Sequence, residues 1–228
     1  MSRESFLARV RTAAAAGRAY RVQAQPGLTP ESGRAAHGAD LVAEFVAEVT
    51  KAGGRPVVVR SPEEAQRQLV DLFRLYEPRS ALCWRHPVLE RLQLAEFLPS
   101  HGIERVDYAV LSPEDFDRRR GRILAADIGI TSADCAVAET GSLVMAHAAG
   151  FERVASLLPP VFVAVVERAQ IVPDLFDVVA HFGGRLPDRL PSNVTFITGP
   201  SKTGDIESKL VTGVHGPGKW HVIVIDPQ

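Results

Sequence analysis

The chain has 228 residues, of which 46% are hydrophobic and 23% charged, and its net charge is -1. That length is sufficient for a sizeable hydrophobic core in one domain, or in one domain with an appended lobe. The balanced charge lacks the basic excess of a nucleic-acid-binding surface, so we expect no nucleic-acid partner.

The N-terminal segment is predicted to be a helix followed by a polar arm. Apolar residues recur at helical spacing within residues 2–16, and Gly17 is suited to end that helix. Residues 18–38 are polar and rich in proline and glycine, which predicts a loop or arm. We therefore expect an N-terminal helix and arm over residues 1–38 and the main domain over residues 39–228.

Strands and helices alternate in the first half of the main domain. The word Ser-Pro-Glu at 61–63 and again at 112–114 combines an N-cap with a first-turn proline, which predicts helix starts. The alternation is typical of an α/β fold with a parallel sheet and helices on both faces. In chain order the predicted elements are a helix from 41 to about 52, a strand at 56–59, a helix from 62, a strand at 81–84, a helix at 87–98, a strand at 106–111 and a helix at 112–124.

The second half contains shorter strand-like segments around small residues. Residues 161–166 form a continuous β-branched run, which is typical of a buried strand. We expect the apolar runs at 194–197 and 220–225 to close the same sheet. The remaining predicted elements are strands at 128–131, 135–138 and 143–146 and a helix at 174–182.

The two cysteines, Cys83 and Cys135, are far apart and have no Cys-x-x-Cys partner. Both lie in apolar segments, which predicts buried, reduced thiols. A cubane iron–sulfur cluster needs about four thiolates, so we expect none in this chain. The N-terminus does not resemble a signal peptide, and no segment is apolar enough to span a bilayer, so we expect a cytoplasmic protein.

A turn-rich block at residues 134–142 is the first candidate ligand loop. Glu139 precedes a turn at the end of a predicted strand, and Gly141 permits a positive φ. A carboxylate there suits a base, a nucleophile or a hydroxyl acceptor, whereas the alternative is a turn cap that accepts backbone N–H bonds. Glu139 is the candidate catalytic residue. The candidate ligand-binding residues of this loop are Asp134, Thr140, Gly141 and Ser142.

The stretch at residues 198–219 is the second candidate loop. Its glycines, hydroxyls and lysine suit a phosphate or carboxylate, and the alternative is a plain strand–helix turn with a solvated lysine. Thr203 or Asp205 is predicted to cap a short helix that carries Ile206 and Leu210 inward. Neither a Walker nor a Rossmann glycine pattern is present. The candidate ligand-binding residues are Gly199, Ser201, Lys202, Thr203, Asp205, His215 and Gly216.

The two histidines near the second loop have different expected roles. His215 lies between glycines, so we expect it to be accessible as an acid–base or anion-binding group. His221 lies on a predicted strand and is expected to be a hydrogen-bonded structural histidine. No third ligand lies at metal spacing, so we predict no metal site. Because parallel sheets bind ligands at strand ends, the two loops are expected to form one site.

Several short sequence motifs, taken in order, make the chain resemble the LUD-domain family and most closely its lactate utilization protein C branch. The similarity covers residues 120–226 strongly and the N-terminal part loosely. Gly204 stands where the family usually has alanine, and Ser142 stands where threonine is frequent. The words are AD at 133–134, AETGSL at 138–143, SLLP at 156–159, TGPSKT at 198–203, DIE at 205–207 and GVHGP at 213–217.

The resemblance implies a three-layer, Rossmann-like fold of the sugar-phosphate isomerase and CoA-transferase type, here with an N-terminal helical arm. It also implies a subunit or accessory role in the oxidation of L-lactate to pyruvate, together with two iron–sulfur partner proteins. The clusters are then expected in those partners and no cofactor in this chain, which binds a small anionic substrate. A homo-oligomer is compatible with this role.

Other functions remain open from the sequence. A stand-alone enzyme resembling a CoA transferase or a sugar-phosphate isomerase would use Glu139. ATP chemistry of the 5-formyltetrahydrofolate cyclo-ligase kind is disfavoured, because the expected G-x-G-x-Y-Y-D word is replaced by GVHGPG at 213–218. A purely structural scaffold would tolerate alanine at Ser201, Thr203 and His215.

Overall fold

The structure is a computed structural model that describes residues 2–17, 40–106, 116–147, 153–183, 191, 193–206 and 209–228. The chain divides into two compact units, residues 1–34 and 35–228. In the first unit, helix α1 spans Arg3–Gly17, in agreement with the predicted N-terminal helix. The predicted polar arm, residues 18–38, lies outside the described residues.

A sheet of six strands, each parallel to its neighbours, forms the centre of the second unit. Strands are numbered in chain order, and these six are β1 (Arg55–Val59), β2 (Ser80–Cys83), β3 (Glu104–Val106), β4 (Ile128–Thr131), β7 (Val161–Glu167) and β12 (Lys219–Ile225). Their order across the sheet is β1-β12-β7-β4-β2-β3. The predicted α/β fold with a parallel sheet is therefore confirmed.

A second sheet of four strands has the order β8-β5-β6-β9. Its strands are β5 (Cys135–Val137), β6 (Ser142–His147), β8 (Ile171–Val172) and β9 (Asn193–Ile197). The prediction that residues 194–197 close the main sheet is wrong, because β9 pairs antiparallel with β6. Both sides of β12 are already hydrogen-bonded to β1 and β7, whereas the β5–β6 hairpin presents an edge on which β9 adds.

A short hairpin replaces the helix that was predicted after residue 203. Strand β10 (Lys202–Ile206) pairs antiparallel with β11 (Lys209–Thr212). Thr203 and Asp205 are therefore strand residues rather than helix caps, and Ile206 and Leu210 are not helical. The β-branched residues of this segment favour a strand, and Gly204 in a helix interior would cost about 1 kcal/mol.

Seven α-helices and a short 3-10 helix (Arg168–Gln170) of the second unit lie in the described ranges. Ser61 caps one of them through a 3.3 Å hydrogen bond from the Glu64 N–H, as predicted. None of the described helices is long and apolar enough to cross a membrane. The helices are α2 (Leu41–Lys51), α3 (Pro62–Tyr76), α4 (Pro87–Arg91), α5 (Leu94–Ser100), α6 (Phe116–Leu124), α7 (Val154–Leu157) and α8 (Leu175–Gly183). The second Ser-Pro-Glu word and predicted strand residues 107–111 lie outside the described residues.

The predicted single helix at 87–98 is wrong, because the chain breaks at Gln93 between α4 and α5. Gln93 adopts a left-handed conformation with φ 48° and ψ 40°. Leu92 and Leu94 on either side are both buried. In a continuous helix these two side chains would point about 160° apart, on nearly opposite faces, so the break allows both to reach the core.

Two glycines allow backbone segments to approach closely. A Cβ atom on Gly129 of β4 would lie 1.8 Å from the carbonyl oxygen of Ala155 in α7. Gly141 has φ +65°, and a Cβ atom there would lie 2.5 Å from the backbone nitrogen of Val49 in α2. These contacts fix α7 against the main sheet and the β5–β6 turn against the end of α2.

The main hydrophobic core contains Cys83, and a smaller second cluster contains Cys135. Cys83 and Cys135 are buried and are not joined in a disulfide, which confirms the predicted burial. The two tryptophans, Trp84 and Trp220, are among the largest fully buried side chains.

His221 on β12 is a buried, hydrogen-bonded histidine, as predicted. Its Nε2 atom lies 2.9 Å from the Tyr76 hydroxyl oxygen. Arg55 donates to that same oxygen at 3.4 Å, so the tyrosine proton is directed to the imidazole. Burial, with the positive charges of Arg55 and Lys219, lowers the pKa of His221 to about 4.

We expect Gly129→Ala to lower the free energy of unfolding by about 3 kcal/mol or more, because the new methyl group overlaps a backbone carbonyl. Urea unfolding would measure the change. Gly121→Ala is the matched control, since a Cβ atom on this α6 glycine meets nothing within 4 Å and alanine favours a helix. Equal stability of the two variants would contradict the close packing of α7 on β4.

We expect His221 to make the protein less stable as the pH falls from 6.5 towards 4. Over this window the unfolded state binds a proton that the folded state does not, with a slope of at most about 1.4 kcal/mol per pH unit. Urea midpoints across the window should fall less steeply in His221→Gln than in the unaltered chain. An unchanged slope in His221→Gln would refute the assignment.

Candidate functional site

A cleft of about 230 Å³ lies where the second candidate loop meets the amino ends of β7 and β12. Four of the residues predicted from the sequence share this cleft, namely Gly199, Ser201, His215 and Gly216. The sequence prediction placed the ligand loops where α/β sheets usually bind ligands, at carboxyl ends of strands. Residues 213–218 precede β12, so this part of the candidate site lies at the amino end instead.

Backbone hydrogen bonds hold the loop that carries His215. The N–H group of Ser201 donates to Pro217 O at 2.9 Å, and that of Gly213 donates to Ser201 O at 2.8 Å. Gly213 has φ +86°, and a Cβ atom on it would lie 3.0 Å from Gly218 Cα. The loop is thus folded tightly on Ser201, and His215 is exposed at the cleft.

Trp220 contributes a buried donor that has no hydrogen-bond partner. Its Nε1 atom is inaccessible to solvent and unpaired among the described residues. The opposite edge of the indole faces Gly54, where a Cβ atom would lie 2.6 Å from Cε3. An unsatisfied buried N–H group costs about 1–3 kcal/mol.

A chain of hydroxyl groups joins the two candidate loops. Thr140 donates to Ser142 Oγ at 2.8 Å, and Ser142 Oγ lies 2.6 Å from Thr198 Oγ1. Pairing of β6 with β9 brings these residues together, and Thr198 lines the cleft. Thr140 and Ser142 therefore lie behind the cleft wall and support it, while Gly141 packs on α2.

Lys202 contacts a helix end rather than the cleft. Its Nζ atom donates to the carbonyl oxygen of Ala52, the C-cap of α2, at 2.8 Å. A cation at the C-terminal end of a helix is favoured by the helix dipole. Gly199, with φ +112°, approaches the same carbonyl oxygen. The segment 199–202 is thereby docked on α2.

Asp134 and Glu139 flank β5, away from the residues that line the cleft. The Asp134 carboxylate accepts a 2.7 Å hydrogen bond from the Ala146 N–H, which ties the hairpin together. Burial lowers the pKa of His86, and the negative charge of Asp134 acts in the opposite direction. Glu139 is exposed, and its N–H donates to Pro173 O at 3.0 Å.

The sequence prediction missed several polar groups of the cleft. Ser156, Thr195, Thr198 and Trp220 line it, although none was named as a ligand-binding residue. Ser156 and Thr198 occur in the SLLP and TGPSKT words, which was the available signal. Nothing local in the sequence marks the indole of Trp220 as unpaired, because that depends on the packing around it.

Comparisons with known proteins agree on one family. The family model described as the LUD domain matches residues 42–225. Lactate utilization protein C of Halalkalibacterium halodurans is 30% identical over 194 residues, which cover 84% of this chain and 82% of that protein. Lactate utilization protein C of Shouchella clausii is 31% identical over 166 residues, which cover 72% and 70%.

A solved structure supports the fold. A crystal structure of a DUF162 family protein from Deinococcus radiodurans superposes with a TM-score of 0.60 and 21% sequence identity. The superposition covers 88% of this chain and 100% of that chain. At this level of identity the similarity shows the fold alone.

We expect Lys202→Met to lower the free energy of unfolding by about 0.5–1 kcal/mol, because the C-terminal carbonyl of α2 loses its cationic partner. Chemical unfolding would measure this loss. Lys219→Met is the control, since its exposed ammonium group makes no hydrogen bond to the described residues. Unchanged stability with weaker anion binding would instead support a ligand role for Lys202.

Proposed function

This chain belongs to the LUD domain family, and we propose that it takes part in the utilization of lactate. The names of its relatives support this general role. We propose further that it is a subunit or accessory protein of a system that oxidises L-lactate to pyruvate. The electrons are assigned to iron–sulfur clusters in two partner proteins, and the binding of a small anion is assigned to this chain.

The hydroxyl group of Ser201 and the imidazole of His215, which line one cleft beside the indole of Trp220, are the observation that carries the ligand assignment. Hydroxyl and imidazole groups both donate hydrogen bonds, which suits a carboxylate. The volume of about 230 Å³ lies below the range of about 300–1,000 Å³ that is typical of drug-sized ligands. The cleft therefore favours a small carboxylate such as lactate.

The position of the donors suits binding more than a chemical step on the protein. His215 is exposed, and Ser201 is held by its backbone to Pro217 and Gly213. The alternative transferase or isomerase would need Glu139, which lies outside the cleft lining and faces solvent. The geometry thus favours a subunit that holds an anion over a stand-alone enzyme that uses Glu139.

We expect a strain without this gene to grow poorly on L-lactate and normally on glucose. Re-expression of the unaltered chain should restore growth, whereas the double variant Ser201→Ala/His215→Ala should restore it only in part. Val214→Ala is the matched control, because Val214 is an exposed residue of the same loop and does not line the cleft. Normal growth of the deletion strain on L-lactate would overturn the proposal.

Co-purification tests whether the chain assembles with two iron–sulfur proteins. A tagged chain purified from lactate-grown cells should carry two further proteins, with iron and acid-labile sulfide in the complex. Recovery of the chain with no iron-containing partner would contradict the assembly, even if growth required the gene.

A further inference from the structure

We infer a second ligand site, for a hydroxylated phosphate or carboxylate compound, in a cavity of about 500 Å³ between the α4–α5 break and β3. The residues that carry the inference are Arg85, Glu90, Gln93, Glu96 and Arg105. None of them lines the cleft around His215. The site is therefore independent of the proposed lactate function.

Arg105 is the central residue of β3, and its guanidinium Nε atom has no hydrogen-bond partner among the described residues. The side chain is half-buried, and its Nε atom is inaccessible and makes no hydrogen bond. Within the described residues no carboxylate pairs with it, whereas the half-buried Arg168 pairs with Asp226 at 3.0 Å. A half-buried charge without a counter-charge loses part of its hydration, so this guanidinium favours an anion in the cavity.

Gln93 gives independent support from the backbone. It is one of two non-glycine residues with positive φ among the described residues, and its side chain makes no hydrogen bond there. A left-handed residue other than glycine costs about 1–3 kcal/mol and is found preferentially at ligand sites. Here the strained residue ends α4 and places a carboxamide at the cavity.

The charges of the lining define the ligand class. Arg85 lies two residues beyond the end of β2 and lines the same cavity as Arg105. Guanidinium groups suit bidentate contacts to phosphate or carboxylate oxygens. The exposed carboxylates of Glu90 and Glu96 would repel a bare anion but accept hydrogen bonds from hydroxyl groups. The combination favours an oxyanion that also carries hydroxyls.

The size and place of the cavity fit this class. Its volume falls within the range of about 300–1,000 Å³ for small-molecule sites and exceeds that of the first cleft. Trp84 and Arg85 follow the carboxyl end of β2, and parallel sheets usually bind ligands beyond such ends.

Calorimetric titration of the whole chain with glycerol 3-phosphate, glycerate and glycerol tests the site. We expect one of the two anions to bind and the uncharged glycerol not to bind, so the comparison separates a phosphate ligand from a carboxylate ligand. Arg105→Met should weaken anion binding at least about tenfold, since a charged hydrogen-bonding pair contributes about 1.5–3 kcal/mol. Arg74→Met is the control, because Arg74 is exposed and pairs with Asp71 on α3.

A second variant keeps the test valid if Arg105→Met fails to fold. Gln93→Gly relieves the left-handed strain, so it should fold at least as stably and still bind the anion more weakly. His215→Ala should leave unchanged the binding that Arg105→Met removes, which separates this site from the first cleft, where a lactate-like carboxylate such as glycerate is also expected to bind. Absence of saturable binding by either anion at millimolar concentration, or unaltered binding in both variants, would overturn the inference.

Discussion

The placement of β12 between β1 and β7 is the constraint on which the rest of the domain depends. Its backbone is hydrogen-bonded on both sides along most of its length, and its side chains after Lys219 are buried. The loop at 213–218 must therefore enter the sheet at the amino ends of these strands. That entry point brings His215 to Ser201, and it buries the indole of Trp220 in the cleft wall.

The sequence predicted those parts of the fold that depend on interactions between residues close together in the chain. The Ser61 cap and the alternation of strands and helices were readable because capping and burial act over a few residues. The pairing of β9 with β6 was not, since a short apolar strand fits either sheet equally well. The break at Gln93 allows Leu92 and Leu94 both to reach the core. It could not be predicted, because the positions of these two side chains depend on the assembled core.

In the candidate site, too, the sequence predicted the contacts between neighbouring loops but not the contacts between distant residues. Gly199, Ser201, His215 and Gly216 meet because two neighbouring loops are joined by backbone hydrogen bonds. The contact of Lys202 with Ala52 spans 150 positions, and no spacing rule predicts it. Arg105 lies just before the strand predicted at 106–111 and belongs to no motif, so its unpaired Nε atom became visible only after the surrounding helices were placed.

The distribution of the two tryptophans has a practical consequence. Trp220 lines the smaller cleft and Trp84 lines the larger cavity, and the chain has no other tryptophan. Trp84 also lies edge-on to the His147 ring, with centroids 5.8 Å apart. Each cavity thus contains its own intrinsic fluorophore, so single Trp→Phe replacements would assign a change in emission to one cavity without any attached dye.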